Sequence, residues 1–343
     1  MSDTMPDPEP ESVPQVSGPK ALLPALGEVI TSEATNNTYT IGVKIGEGNF
    51  GIVYACTDVW CNDLAVKVLK QPDNKTNADI RRAAEQEFDK LLKLRHPNVT
   101  YVHDAFEFRD TFYIVTEQCH YTLRYFLAQE WFNGLYWLMP IARCLLQAVH
   151  YLHTWGYAHQ DIHAGNVFTA FLKDEMNSES RATQFKLGDL GVSKLFDELD
   201  ATNTLAEWIR PPEAIEPATF GPLDRRIDIY HLGLLLLEIA NSRELHFTRQ
   251  DILDGKPREM ALQLPAPYNS ALEKALRRHV QFRTETAMEL WRDLNSPLDS
   301  NPTLGTLPEL NPPESPTKVS DASSPEPAIG GDREGPGPNS PPT

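Results

Sequence analysis

The hydrophobic period of this chain changes once, near residue 120, and nothing else in the sequence constrains the fold as tightly. From Tyr39 to Val68, short β-branched or aromatic runs alternate with Gly and Asn-Asp punctuation, which predicts an antiparallel meander of three strands. Tyr101–Phe108 and Thr111–Thr116 read as a further hairpin around Arg109-Asp110. Between these strands, Ala78–Leu94 carries Ala83, Ala84, Phe88, Leu91 and Leu92 at helical spacing, and His96-Pro97-Asn98 ends it, since proline disfavours helix in the residue before it. From Tyr121 onward apolar residues recur three or four apart, in Leu123–Leu127, Trp137–Trp155, Asp228–Ala240 and Asn269–Leu294. The expected class is α+β with two lobes. A small, mostly antiparallel β lobe with one helix covers about 39–117, and a larger, mostly helical lobe covers about 121–294. Lys173–Thr183 is a polar insertion between apolar runs and predicts an enlarged hairpin loop.

The two ends read differently. Residues 1–38 and 295–343 are rich in Pro, Ser and acidic residues, so they are expected to be disordered tails around a domain at 39–294. Each tail carries a net charge near −5 out of −17 for the whole chain, leaving the middle acidic too. That balance argues against nucleic acid as a partner through a broad basic face. The longest apolar stretch, Leu232–Ala240, is interrupted by Gly233 and Glu238 and is far shorter than the ~20 residues of a membrane span. Residues 1–30 lack a basic start, apolar core and cleavage site, so the expected location is cytoplasmic. Cys56, Cys61, Cys119 and Cys144 form neither a disulfide framework nor CxxC pairs and are expected to be reduced. Ser315-Pro316 and Ser340-Pro341 could make the C-terminal tail a phosphosite or a docking peptide for other proteins, though Pro-rich linkers are the commoner reading.

Chemistry-bearing motifs follow one another through the middle. Gly46-Glu47-Gly48-Asn49-Phe50-Gly51 supplies glycines where backbone amides can approach phosphates with no Cβ in the way. An ordinary hairpin or a dinucleotide fingerprint would share that spacing, but the latter needs a helix next, and Ile52–Ala55 reads as a strand. Lys67 stands in the apolar strand Ala65–Val68, and Glu87 on the following helix can meet its ammonium. Glu85 competes for that role, although about 200° of helix separates the two, so one alone faces the strand. His159-Gln160-Asp161-Ile162-His163-Ala164-Gly165-Asn166 then brings a carboxylate and an amide into one tight loop, and Asp189 ends the strand Lys186-Leu187-Gly188. Asn166 and Asp189 suit Mg²⁺, which takes few protein oxygens plus substrate phosphates.

In this order and spacing the chain resembles the protein kinase superfamily, of the eukaryotic serine/threonine type, over residues 39–294. Pro211-Pro212-Glu213 resembles the element that closes the activation segment, and Asp228–Gly233 resembles the start of the large-lobe anchor helix. Arg283 falls where kinases place the arginine that pairs with the glutamate, here Glu213. The resemblance implies ATP and Mg²⁺ as cofactors and protein hydroxyls, Ser/Thr rather than Tyr, as acceptors. It implies that Gly46, Gly48 and Gly51 cover the phosphates and that Lys67, held by Glu87, binds them. Asp161 would take or orient the acceptor proton, with Asn166 and Asp189 on the metal. Val53, Ala65 and Phe168 would sandwich adenine with Ile45 also at the nucleotide, Thr116 would be the gatekeeper, and Glu117 and Cys119 would present hinge backbone groups.

The departures are specific. Gln160 replaces the arginine that grips a phosphorylated activation segment, which puts control by that route in doubt. His163 stands where a lysine usually meets the γ-phosphate, and is expected either to replace it as an imidazolium or to cap the loop. Gly165 excludes the tyrosine-kinase pattern, Ala206 replaces a usual threonine with Thr204 two residues early, and Leu190 replaces a phenylalanine. The loop also resembles that of aminoglycoside phosphotransferases, which phosphorylate small molecules, and a pseudokinase scaffold is the non-enzymatic alternative.

Overall fold

The computed structural model describes residues 23–48, 51–69, 92–173, 181–190, 193–199 and 209–296. The N-terminal part is one antiparallel sheet of β1 (Val29–Thr31), β2 (Thr38–Gly48), β3 (Gly51–Asp58), β4 (Asp63–Leu69), β5 (Val102–Phe108) and β6 (Thr111–Glu117), in the order β1-β2-β3-β4-β6-β5. Side chains alternate across a strand, and β4 uses both faces. Leu64, Val66 and Val68 enter the small-lobe core with Ile41, Phe106, Tyr113 and Val115, while Leu69 packs on the large-lobe core. Ala65 and Lys67 therefore lie on the face away from the small-lobe core. Between β5 and β6, Arg109 and Asp110 have φ of 51° and 57°, the positive values that the two central residues of a tight hairpin turn require.

The fold begins earlier than residue 39. Val29–Thr31 pairs with Thr38–Thr40, and Ile30 is fully buried. Thr35 Oγ1 and Tyr39 Oη donate to Asp104 Oδ2 at 2.7 and 3.0 Å, fixing this extension to β5. Of the expected Ala78–Leu94 helix, all but the last residues lie outside those described, and so do Glu85 and Glu87.

The large lobe contains β7 (Tyr121–Thr122), α1 (Leu123–Leu127), α2 (Gly134–Thr154), β8 (Tyr157–Ala158), the hairpin β9 (Val167–Lys173) with β10 (Arg181–Leu187), and β11 (Lys194–Leu195) paired with β8. Arg181–Thr183, expected in a loop, continues the β10 ladder against Phe171–Lys173, so the connection is shorter than the polar stretch implied. Beyond it come α3 (Pro212–Ile215), α4 (Pro217–Phe220), α5 (Arg226–Ala240), α6 (Arg249–Asp254), α7 (Lys256–Ala261), α8 (Tyr268–Ala275) and α9 (Ala287–Leu294). Helix α5 is buried on every side from Ile227 to Ile239, as its almost continuous apolar sequence demands. The expected helix over Asn269–Leu294 is broken. Arg283 is extended there, with φ −77° and ψ 149°, because its side chain reaches into the core. The cysteines are free thiols, and among the described residues no helix is long and apolar enough to cross a membrane.

Candidate active site

The Asp161 loop is held from below by a single buried carboxylate. Asp228, at the start of α5, accepts the backbone N–H groups of His159 and Gln160 at 2.8 Å each, and His153 Nε2 lies 2.8 Å from its Oδ2. Burial alone would raise the Asp228 pKa, but the hydrogen bonds from His153 and the backbone outweigh it and the net direction is down. Gln160 takes a φ of 68°, which turns the chain sharply just before Asp161. The buried His159 ring then ties two parts of the site together. Its Nδ1 accepts the Asp161 N–H at 3.2 Å, and its Nε2 meets Gly188 O at 3.0 Å. Burial lowers its pKa, consistent with a neutral ring that donates from Nε2.

Asn166 commits its amide nitrogen to Asp161, donating to the backbone O at 2.9 Å and to Oδ2 at 2.8 Å. Its side-chain oxygen is thereby oriented the other way, as a metal ligand must be. Burial raises the Asp161 pKa, but the hydrogen bond with His163 outweighs it and the net direction is down. His163 Nδ1 accepts the Gly165 N–H at 3.0 Å, while Nε2 lies 3.6 Å from Asp161 Oδ2. A nitrogen that accepts a backbone N–H carries no proton, so the expected imidazolium does not fit. The ring is a neutral loop cap whose Nε2–H is turned toward Asp161.

Lys67 Nζ meets Asp189 Oδ1 at 2.7 Å and links β4 to the end of β10. Asp189 sits at φ 56°, a left-handed conformation unusual for a residue with a side chain and typical of functional sites. The preceding Gly188 is required by space. A Cβ there would fall 2.6 Å from Thr100 Oγ1 and 2.7 Å from the Phe168 ring. Gly188 N also donates to Asn166 O at 2.9 Å, which sets Asp189 in register with Asn166.

Sheet register brings the glycine hairpin alongside. Gly46 pairs with Val53, Val53 with Lys67, and Ala65 with Thr116, so these residues lie side by side across adjoining strands. Gly48 pairs with Gly51 at the end of the hairpin, and Ile45 is exposed. Gly51 is required by packing, because a Cβ there would lie 2.3 Å from Val68 O. Glu117 contributes more than backbone. Its carboxylate accepts from Tyr101 N at 2.7 Å and Lys186 Nζ at 2.8 Å, tying β6 to β10. Burial pushes the Cys119 thiol up to about 12, so it stays protonated. Leu190 is buried in the large-lobe core.

Below the site, Glu213 and Arg283 form a bidentate pair at 2.6 and 2.7 Å, both side chains fully buried. Arg283 also donates to the carbonyls of Arg226, Arg277 and Arg278. Two buried groups had no signal in the sequence. His231 Nε2 lies 2.9 Å from Ile209 O, and burial lowers its pKa to about 4. Glu238 accepts from Leu245 N, and burial raises its pKa to about 7.

A β lobe bearing Lys67, set against a helical lobe bearing Asp161, Asn166 and Asp189, defines the class of two-lobed kinase folds. Residues 39–296 match the protein kinase domain family, and the chain belongs to it. Serine/threonine-protein kinase Nek11 of Mus musculus is 27% identical over 270 residues, 73% of this chain and 40% of that protein. The probable serine/threonine-protein kinase zyg-1 of Caenorhabditis briggsae is 30% identical over 195 residues, 56% of this chain and 25% of that protein. The chain spans between 25% and 56% of the length of these and similar curated relatives. The kinase domain of Mycobacterium tuberculosis PknI shares the fold with a TM-score of 0.54 at 19% identity, over 80% of this chain and 99% of that one.

Proposed function

We propose that this chain transfers the γ-phosphoryl group of Mg-ATP to serine or threonine hydroxyls of proteins. The observation that carries this reading is the joint placement of Lys67 on Asp189 and of Asn166 on Asp161, with Gly188 bonded to Asn166 between them. Lys67 stands beside Val53 and Gly46 and supplies a cation to the phosphates. Asp189 and the Asn166 side-chain oxygen make a donor set of one carboxylate and one amide, which fits a Mg²⁺ that keeps its remaining positions for phosphate and water. When bound, that ion neutralises phosphate charge. Asp161 is ionised, fixed by Asn166, and accepts or orients the acceptor proton, while the neutral His163 steadies the loop.

The small-molecule reading is disfavoured by the buried Glu213–Arg283 pair and by the match of residues 39–296 to the protein kinase domain family. A scaffold without chemistry is disfavoured because Lys67, Asp161, Asn166 and Asp189 are all present and arranged together. The test is incubation of the purified chain with Mg-ATP and a generic protein, then mapping of phosphosites by mass spectrometry. Lys67→Ala and Asp189→Ala should each lower turnover by roughly 10²–10³, as loss of one electrostatic stabiliser does. Both variants should still unfold cooperatively, and unchanged turnover in either would move the active site elsewhere.

A further inference from the structure

Arg124 stands on α1 beside the Asp161 loop, and the phosphotransfer chemistry proposed above makes no use of it. Its backbone N–H donates to Ala164 O at 3.0 Å, so this helix is seated on the residue between His163 and Gly165. Its side chain is 50% exposed, and Nε donates to Glu244 Oε1 at 2.6 Å. In a planar guanidinium Nη1 lies on the side opposite the Nε–H, so the contact with Glu244 leaves it facing another way. A Cβ built on Gly165 would fall 3.1 Å from Arg124 Nη1 and 2.8 Å from His163 Cε1. Glycine at 165 thus lets guanidinium and imidazole lie over the same stretch of loop. His163 Nε2 in turn lies 3.6 Å from Asp161 Oδ2. A half-exposed cation is therefore one imidazole ring away from the carboxylate assigned to the acceptor hydroxyl.

The charged groups around Arg124 decide what it can take. Glu244 occupies one side of the fork, and Glu238 is buried, with its pKa raised by burial. His163 is neutral and separates Arg124 from Asp161. One partly buried carboxylate thus opposes one guanidinium, whose other side faces the loop that a substrate must cross. We propose that Arg124 is a specificity-determining residue, selecting protein substrates with a carboxylate side chain beside the acceptor hydroxyl. The proposal rests on the phosphotransfer reading above. A planar fork matches a carboxylate, and a lysine or arginine of the substrate would meet like charge there. Glu244 competes for the same guanidinium and limits the gain.

The experiment uses peptides with one serine in an alanine-glycine background. A single aspartate is moved through the flanking positions, with a matching lysine series. kcat/KM is measured with Mg-ATP for the wild type, Arg124→Gln and Glu244→Gln. The best aspartate peptide should exceed its alanine parent by roughly three- to tenfold in the wild type, the range for one half-exposed charge-assisted contact. That ratio should fall to about one in Arg124→Gln and rise in Glu244→Gln, a change that a merely structural role for Arg124 would not produce. Equal rates for aspartate and alanine peptides overturn the inference, as do a lysine preference or an aspartate preference that survives Arg124→Gln. Those outcomes leave the kinase reading standing, provided a generic protein is still phosphorylated. Absence of phosphate from every peptide and protein overturns both.

Discussion

Separating Glu213 from Arg283 offers the sharpest test of how the large lobe is built. The two side chains are fully buried and meet through both oxygens and both terminal nitrogens, at 2.6 and 2.7 Å. Replacing Glu213 with leucine leaves the guanidinium in the core with only the carbonyls of Arg226, Arg277 and Arg278 to satisfy it. Breaking one side of a buried pair costs about 3–5 kcal/mol, because an uncompensated charge remains. In a domain of this size each kcal/mol moves Tm by about 2–4 °C, so Tm should fall by roughly 6–20 °C. The double replacement Glu213→Leu with Arg283→Met leaves no charge behind. Its cost is the orphaned carbonyls, about 1–3 kcal/mol each where they are cut off from water and less where they are not. Urea unfolding of wild type, both single variants and the double variant gives the coupling directly, provided the m-values agree. A Glu213→Leu loss below about 1 kcal/mol would refute the reasoning, and so would a double variant that loses the sum of the two singles.

Three further outcomes are expected. Glu238 has its pKa raised from 4.5 to about 7, so the folded state holds the proton more tightly and stability should fall as pH rises through that window, by up to about 3 kcal/mol. In Glu238→Gln the slope between pH 5 and pH 7 should flatten; an identical slope in urea titrations would exclude this group. A chain trimmed to residues 23–296 should melt like the full chain, whereas one starting at residue 36 should lose at least the ~1.5–3 kcal/mol of burying Ile30, and equal melting of the two would contradict the β1 pairing. His163→Lys should share the wild-type alkaline limb in pH–rate profiles, because the native ring is a neutral cap; a limb that flattens in the variant would restore the imidazolium reading.

Much of this architecture was legible because burial imposes a period. The alternation Leu64, Val66, Val68 against Ala65, Lys67 marks both the strand and its faces, and the almost continuous apolar run of α5 marks a helix buried all round. What escaped was held by single groups rather than by patterns. Val29–Thr31 is too short for alternation to be read, yet Ile30 anchors it. The helical period runs on through Arg277–Glu285, but the buried Glu213 requires Arg283 to be extended, and that tertiary demand overrides local preference. The residue types of the site were visible in order. The raised pKa of Glu238 and the place of Arg124 depend on tertiary packing, and the cap made by His163 depends on the turn its own loop takes; no spacing encodes them.

The neutral Gln160 becomes intelligible once the loop is traced to what fixes it. Asp228 binds the loop through the N–H groups of residues 159 and 160, contacts that any side chain at 160 would leave in place. The His159 ring carries the same constraint outward, to Asp161 through Nδ1 and to Gly188 through Nε2. One buried carboxylate on α5 therefore positions both acids of the site, Asp161 by way of the loop and Asp189 by way of the carbonyl just before it. Next to the same carboxylate, β11 pairs with β8, and Phe196 sets its ring edge-on to His153 at 5.6 Å. Backbone pairing and aromatic contact thus dock residues 194–196 of the segment that follows Asp189. The geometry of the Asp161 loop is therefore set by backbone and buried side chains and does not depend on a charge at residue 160.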